Sequence, residues 1–269
     1  MGSCASQSRE SACARVRLGV RPDSRLQKLR VRLDQLVVER GLAPSRERAR
    51  ALILAGQVSV DGQPETKAGA QINPAADVGL ITPDHPYVGR GGVKLAHALD
   101  TFHIAVEGRE ALDIGASTGG FTDVLLKRGA RRVVALDVGH GQIDWTLRND
   151  PRVVVIEHFN ARHLQPSALP ALVDIVTIDV SFISLRQILP VVPPLLRAGG
   201  DVIALVKPQF EAGRREIRKG VIRDASIQAR VLEEVSAAAR EVGLTPVAST
   251  PSPITGAKGN VEFLLHLRS

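Results

Sequence analysis

The chain has 269 residues, 35 Lys and Arg against 28 Asp and Glu, a formal net charge of +7 and 44% hydrophobic residues, enough for one large or two modest domains. Its two cysteines, Cys4 and Cys13, lack metal-ligand spacing, and no apolar run reaches the about 18 residues of a spanning helix or resembles a secretory signal. We therefore expect a soluble, cytoplasmic protein without metal or membrane contact, whose basic balance favours an anionic partner such as nucleic acid.

The first thirty residues hold most of the surplus positive charge. Residues 1–30 contain seven Lys or Arg and two Asp or Glu, whereas residues 31–90 contain seven of each. The segment is rich in Ser and Arg and shows no sustained apolar periodicity, so we predict a disordered basic tail. A start codon assigned too far upstream explains the segment equally well.

Residues 31–86 have the pattern of a small α+β module. Apolar residues near its start recur with helical spacing, and Ser45 is placed to cap a second helix over residues 46–54. The alternating residues 58–62 predict a hairpin, and residues 78–81 predict a further strand. Two short helices and a small sheet therefore form one compact unit.

The second of these helices carries a basic face. Arg46 and Arg50 stand one helical turn apart, which makes a plausible stripe for contacts to phosphate groups. A charged helix face is as often merely solvated, so the spacing leaves both interpretations open.

A glycine-rich segment, residues 87–92, reads as a linker, and strands alternate with helices over residues 93–269. The predicted strands are 111–114, 133–136, 153–156, 175–178, 202–206, 246–249 and 261–267, and the predicted helices are 93–102, 121–128, 142–148, 184–196 and 225–242. This alternation predicts an α/β, Rossmann-like domain with a mostly parallel sheet. The last two strands lie too close in sequence for a parallel crossover, so they should form an antiparallel hairpin.

A turn between the first strand and helix of this domain indicates a cofactor site. It reads Asp113-Ile-Gly-Ala-Ser-Thr-Gly-Gly120, and its members Asp113, Gly115, Ala116, Ser117, Gly119 and Gly120 are candidate cofactor contacts. The spacing differs from the G-x-G-x-x-G turn that cradles a dinucleotide pyrophosphate. A leading acid followed by one glycine and then two suits S-adenosylmethionine, which has no pyrophosphate. The turn therefore predicts a methyltransferase.

Two polar residues follow the next strands of the predicted sheet. Asp137 ends the second strand, where an acid bonds the ribose hydroxyls of a bound cofactor in doubly wound folds. Asn160 follows the third strand, where a contact to the adenine edge would lie. A solvated acid is the alternative for Asp137, but the glycine turn upstream favours the ribose contact. A turn-forming asparagine remains the alternative for Asn160.

Asp179 and Lys207 end two further strands and are the candidates for chemistry. Ligands of open α/β sheets lie beyond the carboxyl ends of the strands, so both side chains should face the reacting centre. A desolvated lysine can act as a base, and a neighbouring carboxylate can position it. Composition alone predicts that Lys94 and Glu262 are surface charges. Glu262 is expected to lie inside the last strand.

These motifs together resemble the TlyA family, which joins an S4 RNA-binding module to an FtsJ-type RNA 2′-O-methyltransferase domain. The S4 resemblance covers residues 32–81 and the FtsJ-type resemblance residues 87–267. The matching segments are Arg32-Leu-Asp-Gln-Leu36, Ser45-Arg46, Ala49, Gly56-Gln-Val-Ser-Val-Asp-Gly62, Gly89-Arg-Gly-Gly-Val-Lys-Leu95, the turn at 113–122, Asp137-Val-Gly139, Arg148-Asn-Asp-Pro151, Asp179-Val-Ser-Phe-Ile-Ser184, Val206-Lys-Pro-Gln-Phe-Glu211 and Gly259-Asn-Val-Glu262.

The resemblance implies a function and a set of residues that perform it. Lys94, Asp179, Lys207 and Glu262 would form the catalytic Lys-Asp-Lys-Glu tetrad of 2′-O-methyltransferases, which replaces the surface interpretation of Lys94 and Glu262. The substrates would be cytidine 2′-hydroxyls of large-subunit and small-subunit ribosomal RNA, within free RNA or ribosomal subunits. The RNA-binding residues would be Arg32, Ser45, Arg46 and Arg50.

The chain departs from the family pattern at three places. A basic segment precedes Lys28, His140 replaces a common aromatic such as Tyr, and the sequence stops at Ser269 without the C-terminal helix of some members. The last departure leaves open whether both ribosomal RNAs are substrates. A non-catalytic RNA-binding or assembly factor remains an alternative, and a membrane-active haemolysin or a pseudouridine synthase has less support.

Overall fold

The computed structural model describes residues 30–81, 85–213, 216–217 and 220–269. The chain divides into two compact units, unit 1 up to Asp84 and unit 2 from His85 to Ser269. The predicted tail, apart from Arg30, lies outside the described residues. Gly91 and Gly92 of the predicted linker form the first turn of a helix of unit 2.

Unit 1 is a small α+β fold with two short helices and two small antiparallel sheets. Its elements are β1 (Val31–Arg32), α1 (Leu33–Glu39), α2 (Arg46–Leu54), β2 (Val58–Val60), β3 (Gln63–Glu65), β4 (Gln71–Ile72) and β5 (Val78–Leu80). Strand β1 pairs with β4, and β2 lies between β3 and β5. Leu33, Val37, Ala49 and Ile53 are fully buried between the helices and the sheets. Ser45 caps α2 as predicted, because its side chain accepts a hydrogen bond from the Arg48 amide.

Unit 2 is a Rossmann-like α/β domain, as the alternation predicts. Its strands are β6 (Glu110–Ile114), β7 (Arg132–Leu136), β8 (Val153–Ile156), β9 (Val173–Ile178), β10 (Leu196–Val206), β11 (Thr245–Pro251) and β12 (Phe263–Arg268). Its helices are α3 (Gly91–Phe102), α4 (Gly120–Lys127), α5 (Trp145–Arg148), α6 (Pro208–Glu211) and α7 (Ala225–Glu241). The seven-stranded sheet has the order β11-β12-β10-β9-β6-β7-β8.

The directions and order of the strands show at which edge of the sheet a ligand can bind. Strands β6 to β10 run parallel, and β12 runs antiparallel to both β10 and β11, which confirms the predicted hairpin. The chain winds outward from β6 through β7 and β8, and then returns to β9 on the other side of β6. This reversal opens a crevice beyond the carboxyl ends of β6 and β9, where ligands of such sheets bind.

The predicted helix over residues 184–196 is wrong. The segment forms three single 3₁₀ turns, Leu185–Gln187, Leu189–Val191 and Pro193–Leu195. Its three prolines, at positions 190, 193 and 194, each remove a backbone donor and clash with the preceding helical turn. The apolar spacing still buries the segment against the sheet, with Leu189 and Leu195 fully covered.

Candidate active site

The turn after β6 brings the backbone close to the segment that follows β9. Gly115 has φ of +87°, and a Cβ atom there would lie only 2.6 Å from the carbonyl oxygen of Asp179. The amides of Gly115 and Ala116 both donate to the carbonyl oxygen of Leu136, at 2.8 and 3.1 Å. Glycine is thus required for a left-handed backbone and a close approach at the same position. The result is a narrow, fixed floor for a ligand.

Asp113 supports this turn from below and does not line the cavity. Its carboxyl group has no exposed surface and accepts hydrogen bonds from the hydroxyls of Thr122 (2.7 Å) and Thr177 (3.0 Å). Burial raises the pKa of Asp113 to about 7, and the nearby charge of Asp179 also raises it. Its place in the structure is therefore a buried link between β6, α4 and β9, not the cofactor contact expected from the sequence.

Asp137 connects the glycine turn to the loop after β7. One carboxyl oxygen accepts from the amide of Ser117 at 2.8 Å, and the other accepts from the amide of Gly139 at 2.6 Å. Asn160 caps the 3₁₀ turn that follows it by accepting from the amide of Arg162 at 3.1 Å. Both side chains also border a cleft, so their local roles are compatible with ligand contact.

The cleft has two adjoining compartments over the carboxyl ends of the strands. The larger, of about 490 Å³, has an apolar wall that includes Leu136, Val138, Phe159 and Ile188, with Asp137, Gln142 and Asn160 as polar residues. The smaller, of about 190 Å³, is lined by Gly91, Ala116, Thr118, Gly120, Phe121 and Lys207. Gly115, Ser117, Asp179 and Ser181 line both compartments. An apolar chamber therefore leads directly to a charged one.

Lys207 and Asp179 form an ion pair in the smaller compartment. The Lys207 Nζ atom lies 2.6 Å from Oδ1 of Asp179 and donates to the Ser181 hydroxyl at 2.8 Å. Lys207 is 8% exposed, so the ammonium group reaches the cavity while its stem is buried. The ion pair with Asp179 and the hydrogen bond to Ser181 together fix the amine beside the glycine turn.

A second ion pair joins α3 to the segment before β12. The Lys94 Nζ atom lies 2.5 Å from Oε2 of Glu262, and both side chains are almost fully buried. Glu262 precedes β12 and does not lie within it, unlike the sequence prediction. A Cβ atom at Gly91, in the first turn of α3, would lie 3.7 Å from Oδ2 of Asp179, so α3 begins beside the first pair.

The sequence predicted no role in the site for two residues of this region, Ser181 and Glu211. Ser181 accepts from Lys207, and Ser184 forms the cap of the next turn. The carboxyl group of Glu211 accepts from the Ser184 hydroxyl at 2.5 Å and the Leu185 amide at 2.7 Å. Burial raises the pKa of Glu211. The serine-rich loop after β9 was the only signal for either contact.

His140 lies in the loop after β7 and does not line the cleft. Its ring stacks on His158 at 4.6 Å between centroids, and its Nδ1 atom lies 3.2 Å from a carboxyl oxygen of Glu157. Glu157 also accepts from the Gly141 amide at 2.8 Å and pairs with Arg148 at 2.5 Å. The two histidines therefore brace the loop after β7.

The arginines expected to bind RNA surround one acid of unit 1. Arg32, Arg46 and Arg50 each donate to the carboxyl group of Asp34. The Arg32 guanidinium, with help from the other two, holds the pKa of Asp34 well below its usual range. Ser45, the fourth expected RNA contact, is engaged as the cap of α2.

Two absences within the described part of the chain bear on the kind of site. No group of three or more His, Cys, Asp or Glu side chains among those residues could hold a metal ion. No helix among them is long and apolar enough to cross a bilayer.

Comparison with known proteins identifies the class of this chain. Residues 87–269 match the FtsJ-like methyltransferase family, and residues 31–78 match the S4 domain. The fold and site thus define an FtsJ-like methyltransferase that carries an S4 domain. A relative from Mycobacterium tuberculosis, named 16S/23S rRNA (cytidine-2′-O)-methyltransferase TlyA, is 48% identical over 89% of this chain and 90% of its own length. The chain belongs to the TlyA family.

Other relatives place the chain in the same group. A Campylobacter jejuni protein named 23S rRNA (cytidine-2′-O)-methyltransferase TlyA is 34% identical over 67% of this chain and 70% of its own length. A solved Streptococcus thermophilus structure that carries a hemolysin name is 45% identical, covers 89% of this chain and 88% of its own, and has a TM-score of 0.72.

A more distant structure shows how widely the fold of unit 2 is shared. An S-adenosylmethionine dependent methyltransferase from Mesorhizobium loti is 16% identical, covers 67% of this chain and all of its own, and has a TM-score of 0.51. At that identity the likeness concerns the fold alone.

Proposed function

We propose that the protein transfers a methyl group from S-adenosylmethionine to the 2′-hydroxyl of a cytidine in ribosomal RNA. The observation that carries the proposal is the position of Lys207. Its amine is held by Asp179 and Ser181 at the wall of a cleft whose floor is the glycine turn after β6. A positioned amine beside a cofactor-sized cavity suits the activation of a hydroxyl nucleophile.

The residues of the cleft fit S-adenosylmethionine. The apolar wall of the larger compartment suits an adenine ring, with Asn160 at its edge and Asp137 beside the ribose hydroxyls. The smaller compartment suits the amino-acid end because the glycines at positions 91, 115 and 120 bring backbone to its wall, and Asp179 and Lys207 supply charge there. When bound, this cofactor supplies an activated methyl group on a sulfonium centre. The family to which the chain belongs supports the same assignment.

Lys207 is the group that orients the substrate hydroxyl, and in its neutral amine form it accepts the hydroxyl proton. Asp179 directs the amine, and Ser181 fixes it from a second side, so the nitrogen is preset toward the small compartment. Holding a nucleophile in line removes much of the entropic barrier of a two-substrate reaction. Alignment therefore contributes at least as much as proton transfer.

Lys94 and Glu262 complete the site as a buried pair. Their contact ties α3 to the segment before β12, on the side of the cleft where α3 begins next to Asp179. Glu262 orients the Lys94 ammonium, which is a donor for the ribose of the target nucleotide. We assign the pair to holding the ribose and the geometry of Lys207.

The S4 domain directs the enzyme to RNA. It binds through phosphate groups and shape, and the target cytidine leaves its stack so that the 2′-hydroxyl reaches Lys207. The names of the Mycobacterium and Campylobacter relatives share the 23S substrate, and only the first includes 16S. We propose large-subunit RNA as the principal substrate, with small-subunit RNA as the second.

Methylation of ribosomal subunits that lack the modification tests the proposal. Purified protein should transfer a radiolabelled methyl group from S-adenosylmethionine to 50S subunits, and primer extension at low nucleotide concentration should map the 2′-O-methyl cytidine. Lys207→Ala should bind the cofactor and lose transfer, whereas Lys127→Ala, which removes a lysine on the surface of α4, should retain it. Cofactor-independent RNA binding without transfer would instead indicate a non-catalytic assembly factor.

A further inference from the structure

Three exposed arginines of unit 1 converge on one buried carboxylate. Arg32 donates through Nε and Nη2 to the two carboxyl oxygens of Asp34, both at 3.0 Å. Arg46 and Arg50 each donate to Oδ2 of Asp34 at 3.1 Å. Asp34 has no exposed side-chain surface, whereas the three arginines keep 42%, 49% and 52% of theirs. One hidden acid thus organises a cationic surface.

The position of this acid is fixed by the fold. The amide of Asp34 donates to the carbonyl oxygen of Ala68 at 3.0 Å, and Asp34 stands in the first turn of α1, where the helix dipole favours a carboxylate. The Arg32 guanidinium lies against Gly69, where a Cβ atom would approach Nη1 to 3.3 Å. The site is therefore built by the backbone as well as by ion pairs.

The charge balance explains why three cations remain together. Three guanidinium groups and one carboxylate leave a local charge of about +2, and the shared carboxylate offsets the repulsion among the three. Each guanidinium has five N–H donors, of which Asp34 engages two from Arg32 and one from each of the others. Forked donors of this kind match the non-bridging oxygens of a phosphate.

The composition of unit 1 specifies which part of RNA it can contact. Residues 30–81 contain no Phe, Tyr, Trp or His. Base recognition in single strands depends largely on stacking against such rings, so this unit has no platform for it. The chemistry that remains is contact with the sugar-phosphate backbone.

We propose that Asp34 is a positioning residue that holds Arg32, Arg46 and Arg50 as one preformed site for a backbone phosphate of RNA. The inference rests on the proposed function of unit 1 in binding RNA. According to this proposal, a negatively charged residue strengthens the binding of an anion. If binding depended on net charge alone, Asp34 would weaken it, so an experiment can distinguish the two cases.

Titration of the full-length protein against a fluorescein-labelled RNA hairpin at several KCl concentrations gives the test. Asp34→Asn removes one negative charge, so binding governed by net charge should tighten. Positioning predicts binding about fivefold weaker and a shallower dependence on salt, because fewer phosphates are neutralised. Glu39→Gln is the matched control, since it removes one exposed negative charge from the same helix and should bind as tightly as wild type or slightly tighter.

A second variant disturbs the site without changing any charge. Gly69→Ala places a methyl group against the Arg32 guanidinium and should weaken RNA binding at least about twofold. Gly79→Ala is its control, because the nearest contact of the new Cβ atom is 3.8 Å away. If circular dichroism shows Asp34→Asn unfolded, the Gly69→Ala measurement decides by itself.

The possible results distinguish the positioning role of Asp34 from the RNA-binding function of unit 1. A folded Asp34→Asn protein that binds RNA as tightly as Glu39→Gln, or a Gly69→Ala protein with unchanged affinity, overturns the positioning role. If Arg46→Ala loses affinity for RNA and Asp34→Asn does not, the RNA-binding function of unit 1 stands. Only the positioning role of Asp34 is then rejected. Wild-type protein that does not bind the hairpin contradicts the RNA-binding function itself.

Discussion

Lys94 and Glu262 are 168 residues apart in sequence, yet their charged atoms lie 2.5 Å apart in the interior of unit 2. The lysine belongs to the first helix of the unit and the glutamate to the segment before its last strand. Neither charge is tolerated in a buried position without the other, because removal of one partner leaves an uncompensated ion. The pair is thus a structural requirement as well as a part of the proposed site.

Separate and joint substitution of the pair should divide stability from activity. Glu262→Leu alone should lower the free energy of unfolding by about 3 kcal/mol, since the Lys94 ammonium remains buried. The double variant Lys94→Met with Glu262→Leu should recover most of that loss and remain inactive. Urea denaturation and methyl transfer to 50S subunits measure the two effects. Recovery of activity in the double variant would contradict a role for the pair in the reaction.

Ser181 should affect the rate rather than cofactor binding. Ser181→Ala removes the hydroxyl that accepts from the Lys207 amine and should lower kcat about tenfold, since a hydrogen bond to a charged group contributes about 1.5–3 kcal/mol. Ser181→Thr, which keeps the hydroxyl, should restore part of the rate. Affinity for S-adenosylhomocysteine should match wild type in both variants. An unchanged kcat in Ser181→Ala would rule out this positioning role.

Gly115 should tolerate no side chain. Gly115→Ala drives a methyl group to 2.6 Å from the Asp179 carbonyl oxygen and should weaken binding of S-adenosylhomocysteine at least about tenfold. Gly141→Ala provides the control, because Gly141 also has a positive φ, +65°, but no atom within 4 Å of the added carbon. The control should cost only about 1 kcal/mol of stability from backbone strain. Isothermal calorimetry and thermal unfolding would compare the two variants.

The raised pKa of Asp113 predicts a distinctive pH dependence of stability. Between pH 4 and about 7 the folded state keeps a proton that the unfolded state has lost, so stability falls as pH rises through this window. The contribution of this carboxyl group is at most about 1.4 kcal/mol per pH unit. Asp113→Asn cannot ionise and should remove this slope. Identical wild-type and Asp113→Asn slopes in urea titrations from pH 4 to 7 would refute the assignment.

Local patterns were sufficient to predict the architecture but not all of the site. Asp137, Asp179 and Lys207 were found because each ends a strand, and parallel strands end at one edge. Lys94 and Glu262 gave no local signal, since their contact depends on the final arrangement of distant elements, and only the family resemblance placed them. The apolar spacing of residues 184–196 correctly indicated burial but not conformation, because three prolines exclude the helix.

The order of strands in the sheet has a consequence for how the enzyme matures. Strand β12 lies between β10 and β11, so it enters the sheet between two strands that both precede it in the chain. Until it enters, β10 has an open edge and Lys94 has no counterion from Glu262. Closure of the sheet and formation of the Lys94–Glu262 pair are therefore one event. A folding chain in which β12 has not yet entered the sheet has most of the fold but lacks this pair of the proposed site.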